Sequence, residues 1–318
     1  MTDSPLPWRV PVVQAPIGPA ATPALAAAVS EAGGIGSLGA SWTEPGMLRA
    51  QIGDIRRRTE RPFMVNLVLA FEQVERLELA LSEGVELVSF SWGIDAGLVA
   101  RAQAAGATVL AQAGSAAEAR AAVDAGCDVV VAQGVEAGGH VQGDTGMLAL
   151  VEELARTLPV PVLAAGGIAD GQGVAAAMAA GAAGGMLGTR FVATEEADVH
   201  AEWSARLVAA SAADTVLTGL FDGGWPGAPH RVLRNSTYRR WDEAGRPPPG
   251  SRPGEGDVVA QSGGIDIERY AADEPRRDTT GELEAMCLYA GRGVGRITSV
   301  EPAADVVSRI GSELAAIR

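Results

Sequence analysis

The stretch Asp128-Val129-Val130-Val131-Ala132-Gln133-Gly134, running on through Val135-Glu136-Ala137-Gly138-Gly139-His140, decides how the chain is read. Its short, β-branched apolar run predicts a strand buried on both faces, as in a parallel sheet. Behind it, two adjacent glycines let the backbone approach a ligand closely. A histidine, one of three in the chain, follows at once. Two readings stand at this point. One is a cofactor site with an acid/base group at a strand end; the other is an ordinary strand-to-helix turn with a solvated histidine.

Outward from that stretch the same unit repeats. Strands are expected at Val10 to Ala15, Ile35 to Leu38, Phe63 to Leu67, Leu87 to Phe90, Thr108 to Gln112, Val129 to Gln133, Val162 to Ala164 and Gly184 to Leu187. Between them, Ala-rich stretches read as helices: Thr22 to Ala32, Glu44 to Arg57, Gln73 to Glu83, Ala96 to Ala105, Ser115 to Ala125, Gly146 to Leu158 and Gly171 to Ala180. Gly33, Gly84, Gly106, Gly126 and Gly181 each follow a helical stretch, as left-handed C-caps do. Eight strand–helix alternations within about 200 residues predict a TIM (β/α)8 barrel. A doubly wound sheet would want GxGxxG after its first strand, and Gln14-Ala15-Pro16-Ile17-Gly18 matches that poorly.

Past Ala193 the alternation stops. His200 to Ala213 and Glu282 to Tyr289 read as helices, Gly291 to Gly295 as a glycine loop and Pro302 to Ile317 as a closing helix. Leu217 to Gly264, rich in Gly, Pro, Arg and Trp, reads as an irregular excursion serving as lid or oligomer contact. The expected division is a barrel core over residues 1–215, an irregular and helical insertion over 216–295, and a packing helix over 296–318.

Composition narrows the function. The chain has 318 residues, 47% of them apolar, enough for a large core. A net charge of −14 argues against nucleic acid and anionic membranes as partners. All 25 basic residues are arginine, which excludes a Schiff-base lysine and a Walker-A lysine. Cys127 and Cys287 form neither a disulfide framework nor a metal spacing, and Cys127 reads as a buried small hydrophobe. Met1 to Pro5 has neither a basic nor an apolar leader segment, and the apolar stretch Val160 to Leu187 is broken by Asp170. A soluble, cytoplasmic protein is expected.

In a barrel, ligands bind at the C-terminal strand ends. Those ends carry Gln14 and Ala15, Asn66, Ser91 and Trp92, Gln112, Gln133 with Gly138 to His140, Ala165-Gly166-Gly167, and Leu187-Gly188-Thr189. They lack the His and carboxylate cluster of a metal site and the paired carboxylates of a glycosidase. Neutral hydrogen-bonding groups suit a flavin ring. Glycine loops after the seventh and eighth barrel strands suit its phosphate, in preference to two bare tight turns.

Three motifs carry a family resemblance: Gln133-Gly134-x-Glu136-Ala137-Gly138-Gly139-His140, Ala164-Ala165-Gly166-Gly167-Ile168-Ala169-Asp170-Gly171, and Leu187-Gly188-Thr189-Arg190-Phe191. Together they resemble the FMN-dependent nitronate monooxygenases, and also the related FMN-type enoyl-(acyl-carrier-protein) reductases and some quinone reductases. The resemblance runs from Pro11 to about Gly295. It implies non-covalent FMN, with Gln14, Ala15, Asn66, Gln112, Gln133, Gly138, Gly139, Gly166, Gly167, Met186, Leu187, Gly188 and Thr189 around it. It implies His140 as the catalytic residue, which takes or stabilises the substrate Cα proton. Ser91, Trp92 and Tyr289 are expected near substrate. The expected reaction is oxidation of an alkyl nitronate by O2 to a carbonyl compound and nitrite. The alternatives are an FMN-dependent NAD(P)H reductase of enoyl thioesters or quinones, and a barrel without flavin that only binds. Two departures stand out. Ser91 replaces a histidine common in Ser-Phe-His-Phe-Gly of the family, and Gln112 replaces a lysine found in some relatives. His200 reads as a helix-start residue and His230 as structural.

Overall fold

A computed structural model describes residues 5–317. The reading that the N-terminus carries no leader rests largely on residues 1–4, which lie outside the described residues, as does residue 318.

The short β-branched runs form the barrel strands. They are β1 (Val12–Gln14), β2 (Gly36–Gly39), β3 (Phe63–Val68), β4 (Leu87–Ser91), β5 (Thr108–Ala113), β6 (Val129–Gln133), β8 (Val162–Ala165) and β9 (Gly184–Leu187). A two-residue strand, β7 (Gly139–His140), falls between β6 and β8 and stands outside the barrel. The barrel order is β1-β9-β8-β6-β5-β4-β3-β2, parallel throughout. A parallel bridge between Val13 and Ile35 closes it, with Gln14 N–H donating to the Ile35 carbonyl at 2.9 Å. A TIM barrel is what the alternation predicts.

The helices α1 (Pro23–Glu31), α2 (Pro45–Arg58), α3 (Val74–Ser82), α4 (Ala96–Ala104), α5 (Ala116–Asp124), α6 (Met147–Thr157) and α7 (Gly171–Ala179) follow the expected spans within one or two residues. Side-chain caps fix several starts: Thr22, Asp95, Ser115 and Asp170 each accept a backbone N–H three residues on. The five helix-end glycines all have φ between +74° and +108°. The closing helix α11 (Ala303–Ile317) packs on α1 and α7.

Strand alternation explains where the site forms. Successive side chains point to opposite faces. Val13, Ile35, Met64, Leu87, Leu110, Val129, Val131, Leu163 and Met186 fill the barrel interior. Two residues further along the same inward rows come Asn66, Ser89, Gln112 and Gln133. The interior is thus apolar below and carries neutral polar groups at its C-terminal mouth.

The region after the barrel departs from expectation. Beyond the short helix α8 (Thr189–Val192), the helix expected over His200 to Ala213 is α9 (Ala201–Ala209) followed by a 3-10 turn. The excursion is not irregular. It and its flanks form β10 (Thr215–Thr218), β11 (His230–Leu233), α10 (Ser236–Glu243), β12 (Val258–Ser262) and β13 (Ile265–Glu268), and β14 (Thr280–Gly281) follows. These make two small three-stranded sheets, β10-β11-β7 and β13-β12-β14. Gly263 and Gly264, at φ +57° and +79°, form the two-residue hairpin turn between β12 and β13. The helix expected over Glu282 to Tyr289 is also absent; only Leu283–Ala285 turns, as a 3-10 segment. Tertiary bonds hold the rest extended: Asn235 and Thr237 side chains take the Met286 and Ala285 carbonyls, and Leu233 N–H takes the Leu288 carbonyl. Among the described residues no helix is long and apolar enough to cross a membrane.

Candidate active site

His140 reaches the mouth on β7 rather than on a free loop. β7 pairs antiparallel with β11, His140 opposite His230 and Gly139 opposite Arg231. Arg231 also donates from Nε and Nη2 to the Val135 carbonyl, at 3.0 and 2.7 Å, and so ties down the other end of the loop. From inside the barrel, Gln133 Nε2 donates to the His140 carbonyl at 3.0 Å, and Gln133 Oε1 accepts the Gln142 N–H at 2.9 Å. Gln142 Oε1 in turn accepts from Gln112 Nε2 at 2.7 Å and from the Trp92 N–H at 3.4 Å. One run of neutral amides therefore sets the height of the imidazole over the mouth.

The imidazole lies in an aromatic nest. Trp225 stacks on it at 4.4 Å between centroids, His230 lies at 5.3 Å, Tyr289 at 5.7 Å and Trp92 at 6.2 Å. His140 Nε2 is buried with no hydrogen-bond partner. Burial, and then the neighbouring His230, lower its pKa to about 4. The ring is thus neutral at ordinary pH and only weakly basic.

His230 is structural, as expected. It is fully buried; its Nδ1 lies 3.0 Å from the Ala228 carbonyl, and its Nε2 accepts the Phe221 N–H at 3.2 Å. His200 caps α9 through Nδ1, which accepts the Glu202 N–H.

The remaining expected residues fall into two groups. At the mouth, Asn66 Nδ2 donates to Ser89 Oγ and the Ser89 carbonyl at 2.9 and 3.2 Å, and Ser91 Oγ lies at 3.5 Å. Gly166 (φ +110°), Gly167 (φ +73°) and Gly188 lie on the two phosphate-type loops. A methyl group on Gly188 would meet nothing closer than Ile17 at 3.6 Å and Ala15 at 3.7 Å, so that loop is open. Other expected residues are engaged within the protein. Gln14 is fully buried, accepts the Ser37 N–H at 2.7 Å and donates to the Ala15 carbonyl. Met186 belongs to the interior cluster, and Leu187 packs outward among the helices. Tyr289 donates its hydroxyl to the Ala272 carbonyl at 2.9 Å, a packing role.

The glycine pair splits in the same way. A methyl group on Gly138 would sit 2.4 Å from Gly291 N and 2.7 Å from the Ala290 carbonyl carbon, whereas one on Gly139 (φ +75°) would meet nothing within 4 Å. The chain's own tail makes the close approach at Gly138. That tail is stitched down by Gly291 N–H to Thr189 Oγ1 and Arg292 N–H to the Glu136 carbonyl, each 2.9 Å. Gly293 presses on Gly167 similarly, its added methyl falling 2.6 Å from the Gly167 carbonyl oxygen. The three glycine segments thus stack backbone on backbone.

Gln142, Arg231, Trp225 and Glu274 escaped the sequence reading. Gln142 lies two residues beyond His140, past the end of β7, where no strand pattern marks it. Glu274 Oε1 would lie 3.4 Å from a methyl group on Gly18, in the loop after β1. Burial raises its carboxyl to about 7, with Asp273 and Asp198 adding and Arg276 opposing. No group of His, Cys, Asp and Glu among the described residues could hold a metal.

The profile of the family described as nitronate monooxygenase matches residues 6–74 and 69–313. A nitronate monooxygenase of Pseudomonas aeruginosa is 37% identical over 272 residues, 70% of this chain and 78% of that one. A Mycobacterium tuberculosis protein, (3aS,4S,5R,7aS)-5-hydroxy-7a-methyl-1-oxo-octahydro-1H-indene-4-carboxyl-CoA dehydrogenase, is 37% identical over 239 residues. That match covers 74% of this chain and 66% of the relative, just under two thirds of its length. The solved structure of FabK from Thermotoga maritima superposes with a TM-score of 0.82 at 33% identity, over 98% of this chain and 94% of that one.

Proposed function

The chain belongs to the nitronate monooxygenase family and is an oxidoreductase, and from that premise we propose that it uses FMN and O2 to oxidise alkyl nitronates to a carbonyl compound and nitrite. The observation that carries this reading is His140. Its Nε2 is buried, unpartnered and neutral at the edge of an uncharged ring of amides and hydroxyls. A neutral imidazole in such a setting can donate one hydrogen bond to an anionic head without first losing a bond of its own.

The residues present fit FMN. Gly166, Gly167 and Gly188 would offer backbone N–H groups to a phosphate, and the positive φ of the first two disfavours side chains that would fill the loop. Asn66 and Gln112, with the backbone of Ala15, Gly139 and Thr189, would meet the edges of a flat ring, and Gln133, whose amide is taken up by His140 and Gln142, would hold the loop that carries His140. When bound, the flavin supplies the electron-accepting and oxygen-activating chemistry. The protein's part is positional. His140 Nε2, held by Gln133 and β11, orients the nitronate through one hydrogen bond. Its low basicity keeps it uncharged and makes it a poor base for a neutral nitroalkane, so the pre-ionised nitronate is the preferred form.

A second reading rests on the apolar mouth described below and on the carboxyl-CoA named for the mycobacterial relative. In it the same site acts on an acyl thioester with NAD(P)H. A flavin-free barrel is the third. Colour and released chromophore separate the third from the others: the purified protein should be yellow and release FMN on denaturation. Nitrite release and O2 consumption with propyl-2-nitronate or with a nitronate on an eight-carbon chain then support the first reading. FMN without nitrite, together with thioester-dependent oxidation of NADPH, would replace it by the second.

A further inference from the structure

Three aromatic side chains come from the ends of three neighbouring barrel strands. Trp42 follows β2, Phe71 follows β3 and Trp92 follows β4. A fourth, Trp225, comes from the loop between β10 and β11. Their centroids lie 5.6 Å (Trp42–Phe71), 5.4 Å (Phe71–Trp225), 6.0 Å (Trp42–Trp225) and 4.8 Å (Trp92–Trp225) apart. The cluster is continuous with His140 through Trp225. Three of the six tryptophans of the chain are gathered here.

The cluster is not a folded core. Trp42 is 57% exposed and Phe71 37%. Trp92 is held at φ +56°, a region that bulky residues rarely adopt, with its N–H on Gln142. Large apolar rings left in water beside a catalytic group mark a ligand contact rather than a stability element.

Trp225 also blocks the way. At 4.4 Å and 29° from His140 it is in van der Waals contact, and nothing fits between the two rings. A substrate that touches the imidazole face must displace the indole. The loop Asp222-Gly223-Gly224-Trp225-Pro226-Gly227 is built for that. Gly224 (φ +89°) and Gly227 (φ +77°) flank the indole with open space around both, while Asp222 is anchored to Arg252 at 2.8 Å. The displaced indole has Trp42 and Phe71 to rest on.

Resting on the function proposed above for the same site, we infer that Trp42, Phe71, Trp92 and Trp225 form a hinged apolar wall that selects substrates with a bulky hydrophobic body. The favoured substrate is a nitronate on a medium-length alkyl chain or a fused ring, in preference to one of two or three carbons. The planar anionic head meets His140, and the apolar body replaces the Trp225 stack and is covered by the four rings.

The test uses the FMN-loaded full-length protein and unreactive planar anions, the straight-chain carboxylates from butanoate to octanoate. Binding is read by calorimetry and tryptophan fluorescence. The wall predicts a dissociation constant that falls about threefold to fourfold per added methylene, the transfer value for a buried CH2. Trp42→Ala with Phe71→Ala, at exposed positions, should retain FMN and the thermal midpoint yet cut the gain below about twofold per methylene. Trp225→Ala should bind butanoate at least as tightly as the parent. Equal chain-length dependence in parent and double variant overturns the wall, as does no dependence in the parent. A parent dimer that the double variant dissociates, seen by sedimentation, also overturns it, because a second copy then covers the rings. Chain-length-dependent binding without nitrite release from any nitronate removes the proposed reaction and leaves the wall standing; nitrite release without chain-length dependence does the reverse.

Discussion

Gly138→Ala separates two explanations of the glycine pair at the candidate site. If the glycines exist to admit a ligand, the substitution should weaken cofactor binding and leave the apoprotein alone. The structure places the constraint elsewhere. The added methyl would lie 2.4 Å from Gly291 N and 2.7 Å from the Ala290 carbonyl carbon, with Thr189 Oγ1 at 3.0 Å. Two of those neighbours are backbone and cannot rotate away, so the tail must move. Overpacking of this kind costs about 1–3 kcal/mol. Displacing the tail strains its bonds to Thr189 and Glu136, worth about 1 kcal/mol each. A loss of about 3 kcal/mol follows for the apoprotein, together with loss of amide-exchange protection over residues 289–296. Gly139→Ala is the control. Its methyl has open space, so the cost is that of a left-handed alanine alone, about 1–2 kcal/mol, and the tail stays protected. Urea unfolding of both variants, apo and FMN-loaded, with hydrogen exchange on the tail, reads these quantities. A Gly138→Ala apoprotein as stable as its parent, with weakened FMN binding only, would refute the reasoning.

Further outcomes follow from the same geometry. His140→Asn should keep FMN and fold, and, because a weakly basic His140 orients the nitronate rather than taking a proton, should lower turnover of the nitronate at least as much as that of the neutral nitroalkane; steady-state rates on both forms check this, and a selective loss of ~10²–10⁴ with the neutral nitroalkane would make it the base. His140 is depressed from 6.5 to about 4, so its contribution to stability is fully present above pH 6.5 and is lost as pH falls towards 4. That fall sets an upper bound of about 3 kcal/mol, and urea midpoints of the parent and His140→Asn across that window should converge as pH falls. Gly188→Ala should leave both stability and FMN binding near parental values, since its φ is −99° and its methyl meets nothing under 3.6 Å. Gly188→Asp should leave the fold intact and cost at least tenfold in FMN affinity by like-charge repulsion, measured by fluorescence titration.

The barrel was legible because period and punctuation agree at each step. Thr22, Ser115 and Asp170 cap where a helix should start, and Gly33, Gly126 and Gly181 turn where one should end. Position at the strand C-termini pointed to Asn66, Gln112 and Gln133, and in the structure each continues an inward apolar row. The additional region was misread because its order is tertiary. Met286 to Tyr289 has helical composition but is drawn out by bonds to Leu233 and Asn235, with Thr237 holding the Ala285 carbonyl just before it, which no local pattern reveals. Its one local signal was Gly263-Gly264 between two alternating runs, a hairpin turn read as mere glycine content. At the site, the low basicity of His140 was not legible. The fall to about 4 comes from burial and from His230, 90 residues away in sequence, and His230 meets His140 only because β11 pairs with β7. Trp225 escaped for the same reason.

Anaerobic mixing of the FMN-loaded protein with substrate tests the central claim most directly. An uncharged His140 at a neutral mouth should let an alkyl nitronate bleach the flavin's visible absorbance in a rapid, saturable reaction, and NADPH at the same concentration should leave the spectrum unchanged. Bleaching by NADPH with an inert nitronate would contradict the account and assign the barrel to reduction of thioesters or quinones.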